Sequence, residues 1–332
     1  MPEPLLALVG ATGVVGRQAL SALHTRDVEP ERLRLFAGST HAGEELDYGE
    51  EALSVEPVGP QAFQGVKGAL LAVPPQVARE LAPRLEQAGA WVVDCSGAFR
   101  AEARVPLVCP GVNDGVLDRP FAGRVVALAH PATRAALAAL EPLRERWGLL
   151  SAEVTVLAGA ALDGEAGVAQ LSKETAQLMN GREPDLDVFP HRLAFNVLTA
   201  AGPLEDGRSA LERAVLVEAA RVWAGDALPV LAATALRVPT YHGLTLVLSA
   251  RLKARASAEA VREALKGQSL LKLVDQPEEN VFPMPMLTAD DPSVHVGRVR
   301  TQGELVQLVA CADNGLSLAD GGVDVLLELV ER

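Results

Sequence analysis

Three glycines, Gly10, Gly13 and Gly16, fall at three-residue intervals inside LLALVGATGVVG, residues 5–16. Glycine lets a backbone turn sharply and come close to a pyrophosphate, and the free N–H groups of a helix start face negative charge. The triplet carries that meaning only between a strand and a helix. Both are written in the pattern. Leu5 to Val9 is an unbroken apolar run, as expected of a strand buried on both faces, and from Arg17 the run RQALSALH has helical spacing. The stretch reads as a dinucleotide-binding turn; the plainer alternative is a tight strand-to-helix turn that binds nothing.

Other groups able to do chemistry follow along the chain. After Leu33–Ala37 (LRLFA), which reads as a second strand, comes the polar turn Gly38-Ser39-Thr40-His41-Ala42-Gly43. A nucleotide-binding fold meets the adenosine ribose at this point. A carboxylate there suits NAD, whereas Ser39, Thr40 and His41 suit NADP. Cys95 follows Trp91–Asp94 at the expected carboxyl edge of a sheet, where ligands bind in open α/β folds. It is a candidate reactive thiol; the alternative is a small inert side chain. Cys109 and Cys311 sit in apolar contexts that suit core positions. His130 and Thr133 stand at the opening of a helix, and His242 follows Arg237 in RVPTYHGLT.

Strands predicted at 5–9, 33–37, 68–73, 91–94 and 125–129 alternate with helices, one of them at 76–88. This alternation predicts an α/β fold with a doubly wound, Rossmann-type parallel sheet. The second half changes character. Residues 153–157 and 231–238 read as strands, and 241–251 and 305–312 as longer strands wet on one face of a mostly antiparallel sheet. Helices are expected near 165–179 and 209–223, and the final one at 321–332 with its basic residue at the carboxyl end. The acidic, proline-bearing stretch 275–292 reads as a surface connection.

Composition sets bounds. A chain of 332 residues fits about two domains, and an apolar fraction of 49% supplies sizeable cores. A formal charge of −13 without a basic cluster argues against nucleic acid. Three cysteines without a CxxC pair fit a reducing compartment. The N-terminal run lacks a basic leader and a cleavage site, and no apolar stretch reaches the ~18 residues of a membrane span. A cytoplasmic protein without a membrane partner is expected.

Several stretches together carry a specific likeness: GATGVVG at 10–16, AGAWVVDCSGAFR at 88–100, VPLVCPGVN at 105–113, RLAFNVL at 192–198, RVP at 237–239, VGRVR at 296–300 and ADNGLSLADGG at 312–322. In order and spacing the chain resembles aspartate-β-semialdehyde dehydrogenase from end to end, and within that family the divergent Usg-type proteins. The resemblance implies an NADP-binding Rossmann-like domain over 1–130 and a central α+β domain over 131–313 that carries catalysis and forms a homodimer. It further implies a C-terminal helix over 314–332 that packs back on the first domain. The cofactor residues it implies are Gly10, Thr12, Gly13, Val14, Val15, Ser39, Thr40 and Asn314. The family interconverts aspartyl-β-phosphate and aspartate β-semialdehyde. A cysteine thiolate at a helix start attacks the acyl carbon, a histidine handles the proton, and the thioester accepts hydride from NADPH.

The chain departs from that pattern at its centre. In His130-Pro131-Ala132-Thr133-Arg134, Thr133 occupies the cysteine position, and in Arg237-Val238-Pro239-Thr240-Tyr241-His242-Gly243-Leu244, Leu244 occupies the histidine position. Thr155 stands for a substrate-side glutamine. Leu211 and Ala214 fall where a glutamate and a lysine are expected, with Glu212 one residue away. Thr40 stands where the family tends to carry an arginine. Of the substrate set, the phosphate-side Arg100 and the carboxylate-side Arg237 remain, as a small acidic metabolite would require. The leading expectation is a homologue that keeps the fold, the homodimer and nucleotide binding without the family reaction. The alternatives are an NADP-dependent oxidoreductase on a related substrate through Cys95 or a non-covalent route, and a nucleotide sensor or partner subunit.

Overall fold

The computed structural model describes residues 5–225 and 228–332, which form two compact units, 5–129 with 315–332 and the described part of 130–314. The first unit begins with β1 (Leu5–Val9) and α1 (Val14–Thr25), then β2 (Leu33–Ala37), β3 (Glu45–Tyr48), β4 (Glu51–Pro57), β5 (Val66–Leu71) and α2 (Pro75–Gln87). It continues with β6 (Trp91–Asp94), β7 (Leu107–Val108) and β8 (Val125–Leu128). The strands make one sheet in the order β3-β4-β2-β1-β5-β6-β8-β7, parallel except where β3 pairs antiparallel with β4. The strands β1, β5, β6 and β8 are almost wholly buried, as apolar runs without alternation require.

Three sequence expectations shift here. The first helix opens at Val14 instead of Arg17, because extended Gly13 stands at its N-cap. The β3–β4 hairpin carries no predicted strand; its acidic residues sit on the wet side of a sheet edge, which hides the apolar alternation. The strand expected at 68–73 runs Val66–Leu71.

The second unit opens with α3 (Pro131–Trp147), β9 (Leu149–Ala158), α4 (Gly164–Met179), the two-residue strands β10 (Leu204–Glu205) and β11 (Arg208–Ser209), and α5 (Ala210–Trp223). It continues with β12 (Val230–Arg237), β13 (Leu244–Leu252), α6 (Ala258–Lys266), β14 (Leu271–Leu273), β15 (Val294–Gln302) and β16 (Leu305–Ala312). Six strands make a mixed sheet in the order β12-β9-β13-β16-β15-β14. One face packs on α3; the other alternates with it along β13, where Val247 and Arg251 are exposed. α6, β14 and β15 are additions to the predicted elements. The stretch 275–292 is more than a surface connection: Asp275 is buried and holds Arg262 together with the N–H groups of Arg298 and Val299.

The last helix, α7, runs Asn314–Glu331, upstream of the start at 321 read from spacing and over the span 314–332 that the resemblance implies. Gly315, Gly321 and Gly322 weaken the helical pattern in sequence, yet close packing against the first unit's sheet needs small residues. A Cβ on Gly322 would meet Leu70, Leu128 and Cys95 at 3.0–3.2 Å, and one on Gly68 would meet Val330 and Leu326 at 2.5–2.8 Å. No helix among the described residues is long and apolar enough to cross a membrane.

Candidate functional site

In the first unit the turn after β1 closes one end of a cleft of about 460 Å³. Val9, Gly10, Thr12, Gly13, Ala37, Gly38 and Ser39 line one side, and Pro57, Val58, Ala72, Val73, Pro74, Glu80 and Arg84 are among the rest. The three glycines answer to different demands. Gly10 has φ +90°, and a Cβ there would lie 2.1 Å from the Ala72 carbonyl oxygen. A Cβ on Gly16 would lie 2.0 Å from the Gly10 carbonyl oxygen. Packing alone forces both. Gly13 has φ −75°, and its nearest prospective neighbour is 3.6 Å away. The fold would accept a side chain at Gly13; the open cleft in front of it is what the missing Cβ preserves. This is the cradle a pyrophosphate needs, its backbone reachable at a helix start.

The remaining nucleotide residues named from sequence are scattered. Thr12 and Ser39 line the cleft, Thr40 and Val14 are exposed, and Val15 packs against the core beneath α1. Asn314 belongs to the second unit, where its amide donates to the Ala161 carbonyl at 3.5 Å. Sequence reasoning missed Pro57, Val58, Glu80 and Arg84; their only signal was position after a strand or on a helix facing the turn.

At the carboxyl ends of β6 and β8, buried Asp94 organises its own following turn, accepting from Ser96 N–H at 2.9 Å and Phe99 N–H at 3.2 Å. Gly97, with φ +85°, leaves room for Arg100, whose Nε donates to the Leu128 carbonyl at 2.7 Å. Cys95 is only 5% exposed, and burial, reinforced by Asp94 and opposed by Arg100, pushes its thiol far above the ordinary range. A reactive thiol needs the opposite environment. These surroundings favour the alternative for Cys95, a small inert side chain. Cys109 and Cys311 are fully buried, and burial pushes the Cys311 thiol up to about 11.

In the second unit Arg237, Ala158, Leu244 and Ala312 are successive register partners across β12, β9, β13 and β16. They form one row on the buried face of the sheet. Thr155 pairs with Thr234 and Val247 and belongs to the opposite face, away from that row. Leu244 is fully buried, and His242 is exposed on the far side of Gly243, whose φ of +85° breaks the extended chain. His130 caps α3 by accepting from Ala132 N–H at 3.1 Å, while its own N–H donates to buried Glu218 at 2.7 Å. Thr133, in the first turn of α3, is fully buried, and its hydroxyl has no hydrogen-bond partner among the described residues. Glu212 closes a capping box with Ser209 at the start of α5 and accepts from Ala235 N–H at 2.8 Å. Leu211 is buried beside it.

The RLAFNVL stretch proves to be support for Arg237. Buried Glu174 of α4 accepts from the N–H groups of Leu193 and Ala194 at 2.8 Å, and Leu198 exchanges backbone hydrogen bonds with Arg237. The Arg237 guanidinium meets Asp163 at 2.7 Å and the Gly159 carbonyl at 3.2 Å, and lies 5.8 Å from the Phe189 ring centre.

Residues 6–119 match the family model for the semialdehyde dehydrogenase NAD-binding domain, and residues 140–316 match that for the semialdehyde dehydrogenase dimerisation domain. The chain belongs to the semialdehyde dehydrogenase family. The aspartate-semialdehyde dehydrogenase of Aquifex aeolicus is 30% identical over 89% of this chain and 87% of its own length. The USG-1 protein homologue of Azotobacter vinelandii is 32% identical over the same shares. The crystal structure of aspartate semialdehyde dehydrogenase II from Vibrio cholerae, complexed with ASA, superposes with a TM-score of 0.93 at 26% identity, covering 100% of this chain and 99% of that one. The semialdehyde dehydrogenase fold thus supplies an NAD(P)-binding domain whose turn and cleft are formed, and a dimerisation domain whose central row is apolar apart from Arg237.

Proposed function

We propose that this chain is an NADP-binding, homodimeric member of the semialdehyde dehydrogenase family that does not carry out acyl transfer from aspartyl-β-phosphate through a thiolate. The observation that carries the reading is the Thr133 hydroxyl, buried and without a hydrogen-bond partner among the described residues. An alcohol attacks only when a neighbouring base takes its proton. Leu244 stands at the position that would supply one, and has none to give. Loss of one member of such a pair removes nearly all the rate, and loss of the second then adds little.

Gly10, Thr12, Gly13 and Ser39 would hold the nucleotide, Gly13 being glycine for the ligand's sake rather than the fold's. No carboxylate stands in the Ser39–His41 turn after β2, which supports NADP over NAD. When bound, NADPH supplies hydride. What this chain's own residues contribute is the side-chain-free cradle at the start of α1, together with Arg100, fixed over the strand ends as an anion anchor. The homodimer reading rests on the dimerisation-domain match and on the second unit's wet sheet face, where Val247 and Val230 are exposed.

The decisive experiment is an NADP-coupled assay with aspartate semialdehyde and phosphate. Turnover many orders below that of a working family member is expected; comparable turnover overturns the reading. Parallel titrations with NADP and NAD are expected to favour NADP, and equal millimolar affinities defeat that preference. Sedimentation of the purified chain is expected to give a dimer.

A further inference from the structure

Arg237 is where the second unit would be expected to greet an anion, yet it already has one. We infer that Asp163 is a specificity-determining residue, an internal carboxylate that fills the anion-binding arm of Arg237 and restricts this site to ligands uncharged at that end. The inference deepens the preceding reading by naming a ligand class, and rests on the carboxylate-side role that the family resemblance implies for Arg237.

Asp163 ends the short turn 160–163 and directly precedes α4. An Asp at a helix start ordinarily accepts from the backbone N–H two or three residues on. Asp163 makes no such bond; its Oδ2 sits 2.7 Å from Arg237 Nη2 instead. The backbone around it is built for this placement. Gly164 has φ +68°, and a Cβ on Gly167 would lie 2.2 Å from the Ala160 carbonyl oxygen and 3.1 Å from the Asp163 Cβ. Glycine at 167 therefore lets α4 close onto the turn that presents the carboxylate.

The guanidinium side is equally committed. The Arg237 side chain is 4% exposed against 37% for Asp163, so solvent reaches the pair from the carboxylate's side. The Gly159 carbonyl and the buried Phe189 ring occupy other flanks. An incoming carboxylate would have to displace Asp163 and would meet its like charge on the way, a discrimination built by repulsion. A neutral group such as an amide, hydroxyl or carbonyl meets no such penalty, because guanidinium and carboxylate already cancel. Burial raises the Asp163 carboxyl against the lowering effect of Arg237, and burial likewise lowers Arg237, as two charges drawn from water onto one another should behave.

The test measures melting temperature and calorimetric binding for the full chain, D163A, D163N and D163A/R237M, with succinate and with its neutral diamide as probes. Wild type is expected to ignore succinate. D163A should melt below wild type, since a buried guanidinium loses its counter-ion. Succinate should then raise its melting temperature and bind at least about tenfold tighter than to wild type. D163N, which keeps the side-chain volume, should show the same gain, and D163A/R237M should lose it. Succinate binding to wild type as tightly as to either variant overturns the inference, as does a D163N that folds normally and gains nothing. Turnover of aspartate semialdehyde, whose carboxylate end would meet Arg237, would overturn both this inference and the loss of family chemistry, whereas tight succinate binding by a wild type without turnover overturns this inference alone.

Discussion

The nucleotide cleft of the first unit is defined by side chains that are missing, whereas the Arg237–Leu244 row of the second unit is defined by side chains that are present. At Gly10 and Gly16 the fold itself forbids a Cβ, so stability alone requires most of the cradle. Leu244 in the row and Thr133 on α3 are both fully buried, and nothing in the packing around them requires one particular functional group. Backbone-built sites are insured by folding; sites built from functional groups are not. The strongest way to break this comparison is at Gly16. The G16A variant should lose about 3 kcal/mol or more of stability, because its Cβ must displace the backbone of Gly10 at the heart of the unit. Chemical denaturation reads this directly, and a G16A midpoint equal to wild type would remove the claim that packing guards the turn.

Within the second unit, two carboxylates sharpen the contrast between a group the fold uses and one set against a site. Asp291 accepts from Lys272 Nζ and His295 Nε2 at 2.8 Å and from Ser293 N–H at 3.0 Å. Burial opposes its ionisation, but these hydrogen bonds outweigh burial and hold it well below the ordinary 3.8. A depressed folded-state value contributes stability that is complete above 3.8 and is lost as pH falls through and below it. Asp163 is raised, so the folded chain binds extra protons just above 3.8, and stability declines as pH rises through that window. D291N should therefore cost about 2 kcal/mol at neutral pH and flatten the acid limb, while D163N should remove the opposing slope. Stability measured from pH 3 to 7 checks both, and limbs of the same sign would refute the assignment.

Much of this architecture was legible in sequence for a physical reason. Strands buried on both faces spell mostly apolar runs, so β1, β2 and β6 matched their predicted bounds, with Arg34 and Asp94 the exceptions in the last two. Elements whose stability comes from tertiary contact did not: the first seven residues of α7 carry a glycine chosen for packing, and the β3–β4 edge is charged. The site divided the same way. The glycine turn and the displaced Thr133 and Leu244 could be read by position, and so could Arg237. The Asp163 contact could not, because it depends on a helix start that forgoes its cap. Thr155 was singled out by the family resemblance, and sheet alternation sends it to the face opposite the Arg237–Leu244 row.

Gly13 separates binding from folding in the first unit. Its φ suits any residue and its surroundings are open, so G13A should change stability by no more than ~0.5 kcal/mol. A methyl between backbone and pyrophosphate should nevertheless weaken NADP binding by about tenfold or more, about 1.4 kcal/mol. Calorimetry with NADP on G13A and wild type tests it. Unchanged affinity would mean that the cleft is a packing accident and not a cradle.

The smallest expected effect bears hardest on the second unit. T133V exchanges the hydroxyl for a methyl of nearly the same shape, and both residues are β-branched, so rotamer and helix terms largely cancel. If the hydroxyl at the start of α3 is buried without a partner, removing it takes away an unpaid desolvation cost, and stability should hold or rise by up to about 1 kcal/mol. A hydroxyl engaged with a base, a water or a neighbouring carbonyl would instead make T133V destabilising by a similar amount, because its partner would be stranded. Equilibrium denaturation of T133V against wild type distinguishes the two signs. A loss of stability would show that Thr133 has company, and would return the position to the list of groups that can move a proton.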